Sequence, residues 1–253
     1  FGPVTLAAEA NTDIGPHPHI GLATVTYLFE GAFLHRDSLG TVQRIDPGAV
    51  NWMTAGSGIV HSERTPDDQR GQARRLHGLQ LWVALPREQE QGEPSFQHVA
   101  AEEIPECEVD GAKVRVLVGE AFGQRSPVRA ASPTLYLDIE LPAGVPWTLP
   151  RLADEMALYS PTEPLEVKGE VLPPCEMAWL VGPGDAALRA ALPTRLAVIG
   201  GAALDTQRLM WWNFVATERA LIEQAADRWA AGGFDPIPGE TGGLPMPPRP
   251  MHA

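Results

Sequence analysis

The chain has 253 residues, of which 44% are hydrophobic, and its formal net charge is −13 at pH 7. Its 19 basic residues are scattered, which argues against a nucleic-acid surface, because phosphate binding needs clustered Lys and Arg. No apolar run is long enough to span a bilayer, and the beginning lacks the charged and apolar regions of a signal peptide. We therefore expect a cytoplasmic protein that binds neither nucleic acid nor membrane.

Length and cysteine usage suggest the domain organisation and the compartment. A chain of this size can form two domains, and we predict boundaries at 1–110 and 111–240, followed by a loosely ordered tail rich in Pro and Gly at 241–253. Cys107 and Cys175 are far apart and show no CxxC spacing, so we expect unpaired thiols in a reducing compartment.

Glycine and proline divide the first half into short predicted strands. The chain contains 25 Gly and 25 Pro, a pattern that favours a β-sandwich or barrel over a helical protein. The polar stretch 86–105 is predicted to connect the two halves or to wrap over one of them. The predicted strands before it are 19–29, 32–35, 42–45, 50–53, 59–61 and 76–85.

The second half continues the same pattern and adds one helix. A helix is predicted over 217–231, with Thr217 capping its start and Gly232 and Gly233 ending it. Trp211 and Trp212 are predicted to pack between domains. The predicted strands are 113–118, 135–141, 165–171, 177–181 and 196–199.

Two ligand pairs in the first half indicate a metal site. The runs His17-Pro-His19 and His61-Ser-Glu63 both have the i, i+2 spacing that places two side chains on one face of a strand. Three imidazoles and one carboxylate can hold a divalent first-row metal and leave room for water, dioxygen or substrate. We predict His17, His19, His61 and Glu63 as ligands, and these donors leave iron, manganese, cobalt, nickel, copper and zinc all open.

The remaining histidines are expected to have structural roles. For His35 we predict a hydrogen bond to Asp37 or Ser38 at a turn. Because no histidine lies between positions 98 and 252, a second barrel there cannot reproduce a three-histidine site, and we expect one metal ion per chain. The histidines for which we predict no metal ligation are His77, His98 and His252.

Three runs of sequence resemble one known family. HPHIGLATVTYLFEGAFLHRDSLG at 17–40, PGAVNWMTAGSGIVHSE at 47–63 and GLQLWVALP at 78–86 resemble pirin, a member of the cupin superfamily. The stretch 211–240 resembles the C-terminal end of bacterial pirin-like proteins, whereas 100–205 agrees mainly in its strand-and-turn pattern. The family usually has a further strand segment before the position of Phe1, so the chain looks truncated relative to it.

The resemblance implies a fold and a chemistry. The implied fold is all-β: a bicupin of two jelly-roll barrel domains packed together, with a short C-terminal helix and the metal in the N-terminal domain. His17, His19, His61 and Glu63 match the family's ligands, and the implied metal is iron, as Fe(II). The implied activity is flavonol 2,3-dioxygenation, in which dioxygen opens quercetin with loss of carbon monoxide. A rival role is also implied, because animal pirin is described as an iron-dependent partner of transcription factors.

The residues also support a chemical account of their own. Three neutral imidazoles and one carboxylate leave a divalent ion with a net local charge near +1, which attracts an anionic substrate such as a flavonolate. Glu63 is either a fixed ligand or a base that takes the substrate hydroxyl proton. A dioxygenase further requires an apolar pocket above the metal, for which we predict Ile20, Phe33 and Met53.

Three functional hypotheses remain open at this stage. The first is an iron dioxygenase acting on flavonols, the second is a metal-bearing protein that regulates a protein partner, and the third is another cupin metal enzyme. In each case a monomer is the simplest expectation, because a pair of barrels covers its own strand edges.

Overall fold

The structure is a computed structural model that describes residues 1–249. Its contacts divide the chain into two compact units. The first unit consists of residues 1–101 and the described residues from Leu204 onwards, and the second consists of residues 102–203. The chain therefore leaves the first unit, forms the second, and returns.

The returning segment belongs to a different unit from the one that the sequence predicted. Sequence reasoning grouped 204–240 with the second domain, whereas the structure places this segment in the first unit. Phe214 and Ile222 of the segment are buried in one apolar cluster with Ile20 and Val60 of the N-terminal strands. This shared apolar burial, which the local sequence pattern does not reveal, attaches the segment to the first unit.

Nine strands of the first unit precede the second unit. They form two antiparallel sheets, with the strand orders β1-β8-β3-β6-β9 and β2-β7-β4-β5. Their bounds are β1 (Val4–Leu6), β2 (Ile14–His19), β3 (Leu22–Glu30), β4 (Phe33–Asp37), β5 (Val42–Ile45), β6 (Val50–Thr54), β7 (Ile59–Arg64), β8 (Arg74–Ala84) and β9 (Ser95–Val99).

Gly21 separates two strands that the hydrophobic pattern joined into one. The predicted strand 19–29 is divided into β2 and β3 because Gly21 has φ 68°, a left-handed conformation that breaks a strand. A Cβ at this position would lie 1.8 Å from the carbonyl oxygen of Val215. The break sends β2 and β3 into different sheets, so the first histidine pair lies in a different sheet from the apolar strand that follows it.

Strand β9 is one of several strands that the sequence prediction missed. The polar stretch 86–105, predicted as a connection, contains β9, which pairs antiparallel with β6 at the edge of its sheet. An edge strand has one side free of strand neighbours and tolerates polar residues such as Gln97 and His98. Polar composition therefore concealed this strand.

The second unit is also built from antiparallel strands. Its larger sheets have the orders β10-β11-β14-β21-β16-β19 and β15-β20-β17-β18, and β12 pairs with β13. The bounds are β10 (Glu106–Val109), β11 (Ala112–Val118), β12 (Glu120–Ala121), β13 (Gln124–Arg125), β14 (Thr134–Leu141), β15 (Pro146–Leu149), β16 (Glu155–Tyr159), β17 (Leu165–Val167), β18 (Glu170–Leu172), β19 (Met177–Trp179), β20 (Ala186–Ala190) and β21 (Thr194–Gly201).

Apolar side chains fill the interior of the second unit. Trp147, Leu137 and Leu158 are each 2% exposed or less and belong to one buried cluster drawn from both larger sheets. The sequence of this unit contains no histidine. Its core therefore lacks the imidazole cluster that a metal site of the predicted kind requires.

The returning segment forms a hairpin and the helix. The hairpin consists of β22 (Leu209–Trp211) and β23 (Phe214–Ala216), and the helix is α1 (Arg219–Ala230). The prediction that Thr217 caps the helix is wrong. Glu218 occupies the N-cap position, and the Thr217 hydroxyl donates instead to Glu90 Oε1 at 2.6 Å. Gly232, with φ 66°, follows the helix as predicted.

The two adjacent tryptophans pack within the first unit. Trp212 meets Phe214 edge-on with ring centroids 5.3 Å apart, and its centroid lies 6.3 Å from that of Trp229. Trp211 lines a cavity of about 480 Å³ between the hairpin and α1, whereas the sequence predicted that it packs between domains.

The described part of the tail has no helix or strand but makes fixed contacts. The Leu244 amide donates to the Pro16 carbonyl at 2.8 Å, and the Trp229 indole N–H donates to the Leu244 carbonyl at 3.2 Å. Residues 241–249 are thus attached to β2 and α1, whereas sequence reasoning predicted loose order. The rest of the predicted tail, 250–253, lies outside the described residues.

Candidate metal centre

Strand pairing brings the two predicted ligand pairs together. Strands β2 and β7 are antiparallel neighbours, and His17 pairs directly with His61, whereas His19 pairs with Ile59. Because alternate residues of a strand face the same way, His17, His19 and His61 share one face of this sheet. The register therefore produces the cluster that the i, i+2 spacing predicted.

Three imidazoles converge within this cluster. His19 Nε2 lies 3.1 Å from His61 Nε2, and one ring nitrogen from each of His17, His19 and His61 lies within 4.8 Å of the other two. His17 Nδ1 lies 2.9 Å from the Gly15 carbonyl and His19 Nδ1 lies 3.2 Å from the Asn213 carbonyl, so each N–H donates to backbone. These contacts leave the Nε2 lone pairs of His17 and His19 available for a ligand.

Burial keeps the cluster uncharged. Burial lowers the pKa of His17, lowers the pKa of His19 to about 3, and lowers the pKa of His61 well below its ordinary value. Repulsion from neighbouring protonated rings lowers the pKa values of His19 and His61 further. The imidazoles are therefore neutral at physiological pH, the form that binds a metal ion.

The geometry of the three rings fits a metal ion. Metal–nitrogen bonds of about 2.1 Å place neighbouring ligand nitrogens about 3.0–3.4 Å apart, and the Nε2 atoms of His19 and His61 are 3.1 Å apart. Two neutral imidazoles with facing lone pairs repel each other unless a proton or a cation lies between them. The Nδ1 atom of His61 is buried and has no hydrogen-bond partner among the described residues.

Glu63, the fourth predicted ligand, lies outside the group of three converging rings. The strand pairing contains a bulge between Ile14 and His17, and Glu63 pairs with Ile14 beyond this bulge. Its carboxylate accepts a hydrogen bond from Gln80 Nε2 on the opposite sheet. Burial raises the pKa of Glu63, although the hydrogen bond from Gln80 and the charge of His35 oppose this rise.

His35 lies beside the cluster without belonging to it. The prediction of a hydrogen bond to Asp37 is confirmed, because His35 Nε2 lies 2.9 Å from Asp37 Oδ2. The His35 ring also stacks on Phe96 with centroids 4.5 Å apart, and its centroid lies 5.4 Å from that of His61. Glu63 and His35 pair directly across β7 and β4.

The opposite sheet contributes groups that sequence reasoning missed. Its register aligns Trp82, Thr24, Met53 and Phe96 in one row across four strands. The next row on the same face of this sheet contains Gln80. The Gln80 amide donates to Thr26 Oγ1 at 3.2 Å and also to the Glu63 carboxylate. The alternation within Gly-Leu-Gln-Leu-Trp-Val marks Gln80 and Trp82 as one face of a strand, but the sequence does not show which face meets the histidines.

The predicted apolar pocket is only partly supported. Ile20 is buried with Phe214 in one cluster and Phe33 with Leu28 in another. Of the three predicted pocket residues, Met53 is the one that shares a row with Trp82. The Gly21 break and the two-sheet arrangement turn Ile20 and Phe33 towards other parts of the core.

The other histidines agree with the expectation of structural roles where they are described. The His77 ring packs on Phe29 with centroids 4.6 Å apart, and His98 Nδ1 lies 2.7 Å from Asn51 Oδ1. Neither belongs to the converging group. His252 lies outside the described residues.

No helix among residues 1–249 is a candidate membrane span. Helix α1 has 12 residues, and no helix in this part of the chain is both long and apolar enough to cross a bilayer.

The fold and the cluster together define a cupin-type two-domain protein, mostly β with one short C-terminal helix. Residues 1–83 match the family model for pirin, and residues 136–235 match the model for the pirin C-terminal cupin domain. The chain is 44% identical over 223 residues to a pirin-like protein of Caulobacter vibrioides, which covers 88% of this chain and 77% of that protein. The chain therefore belongs to the pirin family.

Two further similarities extend this assignment. A pirin-like protein of Solanum lycopersicum is 34% identical over 229 residues, covering 87% of this chain and 76% of that protein. A crystal structure described as quercetin 2,3-dioxygenase from Acinetobacter baumannii superposes with a TM-score of 0.90 at 35% identity. The match covers 99% of this chain and 84% of that one. The structural likeness thus extends over both units.

Proposed function

We propose that this protein is a metal-dependent dioxygenase that opens flavonols such as quercetin with dioxygen. The observation that carries the proposal is the cluster of three buried, neutral imidazoles whose ring nitrogens lie within 4.8 Å of one another. The structural neighbour described as a quercetin 2,3-dioxygenase supports the substrate class.

We assign His17, His19 and His61 as the ligands of one Fe(II) ion per chain, with Glu63 as a fourth ligand or as the base. Nitrogen and oxygen donors also accept other first-row metals, so availability contributes to occupancy. When bound, the metal supplies a cationic centre that attracts an anionic substrate oxygen and allows reaction with dioxygen.

Glu63 is suited to take a proton from the substrate. Its carboxylate is buried, and burial raises its pKa, which strengthens it as a base towards a phenolic or enolic hydroxyl. Gln80 holds one carboxylate oxygen from the opposite sheet, which fixes the direction of the group. The charged, proton-accepting form of Glu63 is present above its raised pKa and is lost as the pH falls through that value.

The test is oxygen uptake after anaerobic loading with Fe(II), measured together with the loss of quercetin absorbance. We expect iron-dependent uptake that falls at least about 100-fold in Glu63→Gln, the usual contribution of a general base. The exposed Glu88 provides a matched control, and Glu88→Gln should retain wild-type turnover. Iron binding without oxygen uptake by the wild type would refute the dioxygenase assignment.

A further inference from the structure

Trp82 contacts the imidazole cluster and is partly exposed to solvent. Its indole meets the His19 ring edge-on, with centroids 5.1 Å apart and an interplanar angle of 81°. His19 is 1% exposed, whereas Trp82 is 40% exposed. Trp82 therefore lies between the buried His19 ring and solvent.

The face of β8 that carries Trp82 also carries Gln80, and the two residues meet different surroundings. Trp82 and Gln80 lie two residues apart on the same face of β8, and Gln80 donates to the Glu63 carboxylate. In the row of Trp82, Met53 is buried in an apolar cluster with Phe96 packed against it. The face thus has one row that is apolar except for Thr24 and begins at the exposed indole of Trp82, and a polar row whose Gln80 contacts Glu63.

The exposed indole favours one class of ligand. Its π-face stacks on flat conjugated rings, and aromatic pairs with ring centroids 4.5–7 Å apart are favourable beyond the area they bury. Its N–H has no hydrogen-bond partner among the described residues, so it is free to donate to a ligand oxygen. A flat ring with oxygen substituents satisfies both features, whereas an aliphatic acid satisfies only the second.

We propose that Trp82 is a substrate-binding residue that stacks on a planar, oxygenated aromatic ring at the entrance to the imidazole cluster. The inference rests on the proposed function for the choice of quercetin as the test ligand. Trp82 acts on binding and leaves the metal ligands unchanged, because its contact with His19 is a ring contact and not a hydrogen bond.

The test is quercetin binding to the metal-loaded protein under anaerobic conditions, where turnover cannot occur. We expect Trp82→Leu to raise the Kd about tenfold, the effect of losing one well-stacked ring, and Trp82→Phe to stay within about threefold of wild type. Trp179, which is 58% exposed on β19 of the second unit, provides the matched control, and Trp179→Leu should bind like wild type.

Two further measurements separate stacking from structural damage. Metal content and the visible absorption of the Co(II)-loaded protein should be the same in Trp82→Leu and wild type, because the imidazole ligands stay in place. In air, Trp82→Leu should raise KM for quercetin about tenfold with little change in kcat. A changed Co(II) spectrum or a loss confined to kcat would show that Trp82 acts through His19, which would overturn the proposal.

Failure of this inference is distinguishable from failure of the proposed function. Equal Kd values for wild type and Trp82→Leu, or no quercetin binding by the wild type, would overturn the stacking role. Trp82-dependent binding without any oxygen uptake would support the stacking role and refute the dioxygenase assignment.

Discussion

Removal of the Asp37 carboxylate should destabilise the protein measurably. Asp37 is 0% exposed and accepts three hydrogen bonds: from His35 Nε2 at 2.9 Å, from the Leu39 amide at 3.0 Å and from the Thr41 amide at 2.9 Å. Asp37→Ala leaves these groups without their acceptor. Because each buried group that loses its partner costs about 1–3 kcal/mol, and water can reach part of the turn, we expect a loss of about 3 kcal/mol.

The same carboxylate predicts a pH dependence. Burial of Asp37 favours its neutral form, but the hydrogen bonds from His35 and Thr41 outweigh burial, and the pKa is lowered. Because the folded-state pKa of Asp37 is lowered, the carboxylate contributes its full stabilisation above the unfolded-state pKa of about 3.9. This stabilisation is lost as the pH falls through the folded-state pKa of Asp37. The difference between wild type and Asp37→Ala should therefore be constant near pH 7 and shrink below about pH 4.

The assay is urea unfolding at pH 7 and at pH 3, with the free energy of unfolding extrapolated to water. Asp46 provides a matched control, because its carboxylate is more than half exposed and pairs with Arg44 on the surface. Asp46→Ala should change stability by no more than about 0.5 kcal/mol. A loss below about 1 kcal/mol for Asp37→Ala at pH 7 would refute the reasoning.

Two further predictions concern the attachment of the returning segment. Glu90 accepts from both the Thr217 amide and its hydroxyl, so Glu90→Ala should lower the free energy of unfolding by about 2 kcal/mol, measured by urea unfolding. A Glu90→Ala variant as stable as the wild type would show that water replaces the Glu90 carboxylate and would contradict this prediction. Gly21→Ala should cost more than about 3 kcal/mol, because its Cβ would overlap the Val215 carbonyl, whereas Gly40→Ala has open space and should cost only the strain of positive φ, about 1 kcal/mol. Equal thermal shifts for both glycine variants would contradict this account.

The sequence revealed the three-imidazole cluster because it depends mainly on local spacing. The i, i+2 pairs place His17 and His19 on one face of β2, and the matching face of β7 carries His61. The place of Glu63 depends instead on a bulge between Ile14 and His17, which shifts the pairing by one residue. A bulge between distant strands has no local sequence signal here, so the four-ligand prediction could not be resolved from sequence.

Long-range partners account for the other differences. Gln80 reaches Glu63 from another sheet, and Glu90 displaces the local capping role predicted for Thr217. In both cases a polar side chain finds a partner that is distant in sequence, and burial makes that contact worth more than the local alternative. Periodicity located about half of the strands, including β3 to β8, but it missed several others. One of these is β9, whose polar edge position conceals it.

The measurement that tests the central claim most directly is metal content after anaerobic loading with Fe(II) and removal of excess ion. The account predicts one equivalent per chain for wild type and for the control His77→Ala, and less than about one tenth of an equivalent for His61→Ala. His61→Ala removes a ring whose Nε2 lies 3.1 Å from the Nε2 of His19 within the cluster. Full metal loading of His61→Ala, or a wild-type stoichiometry near two, would contradict the account.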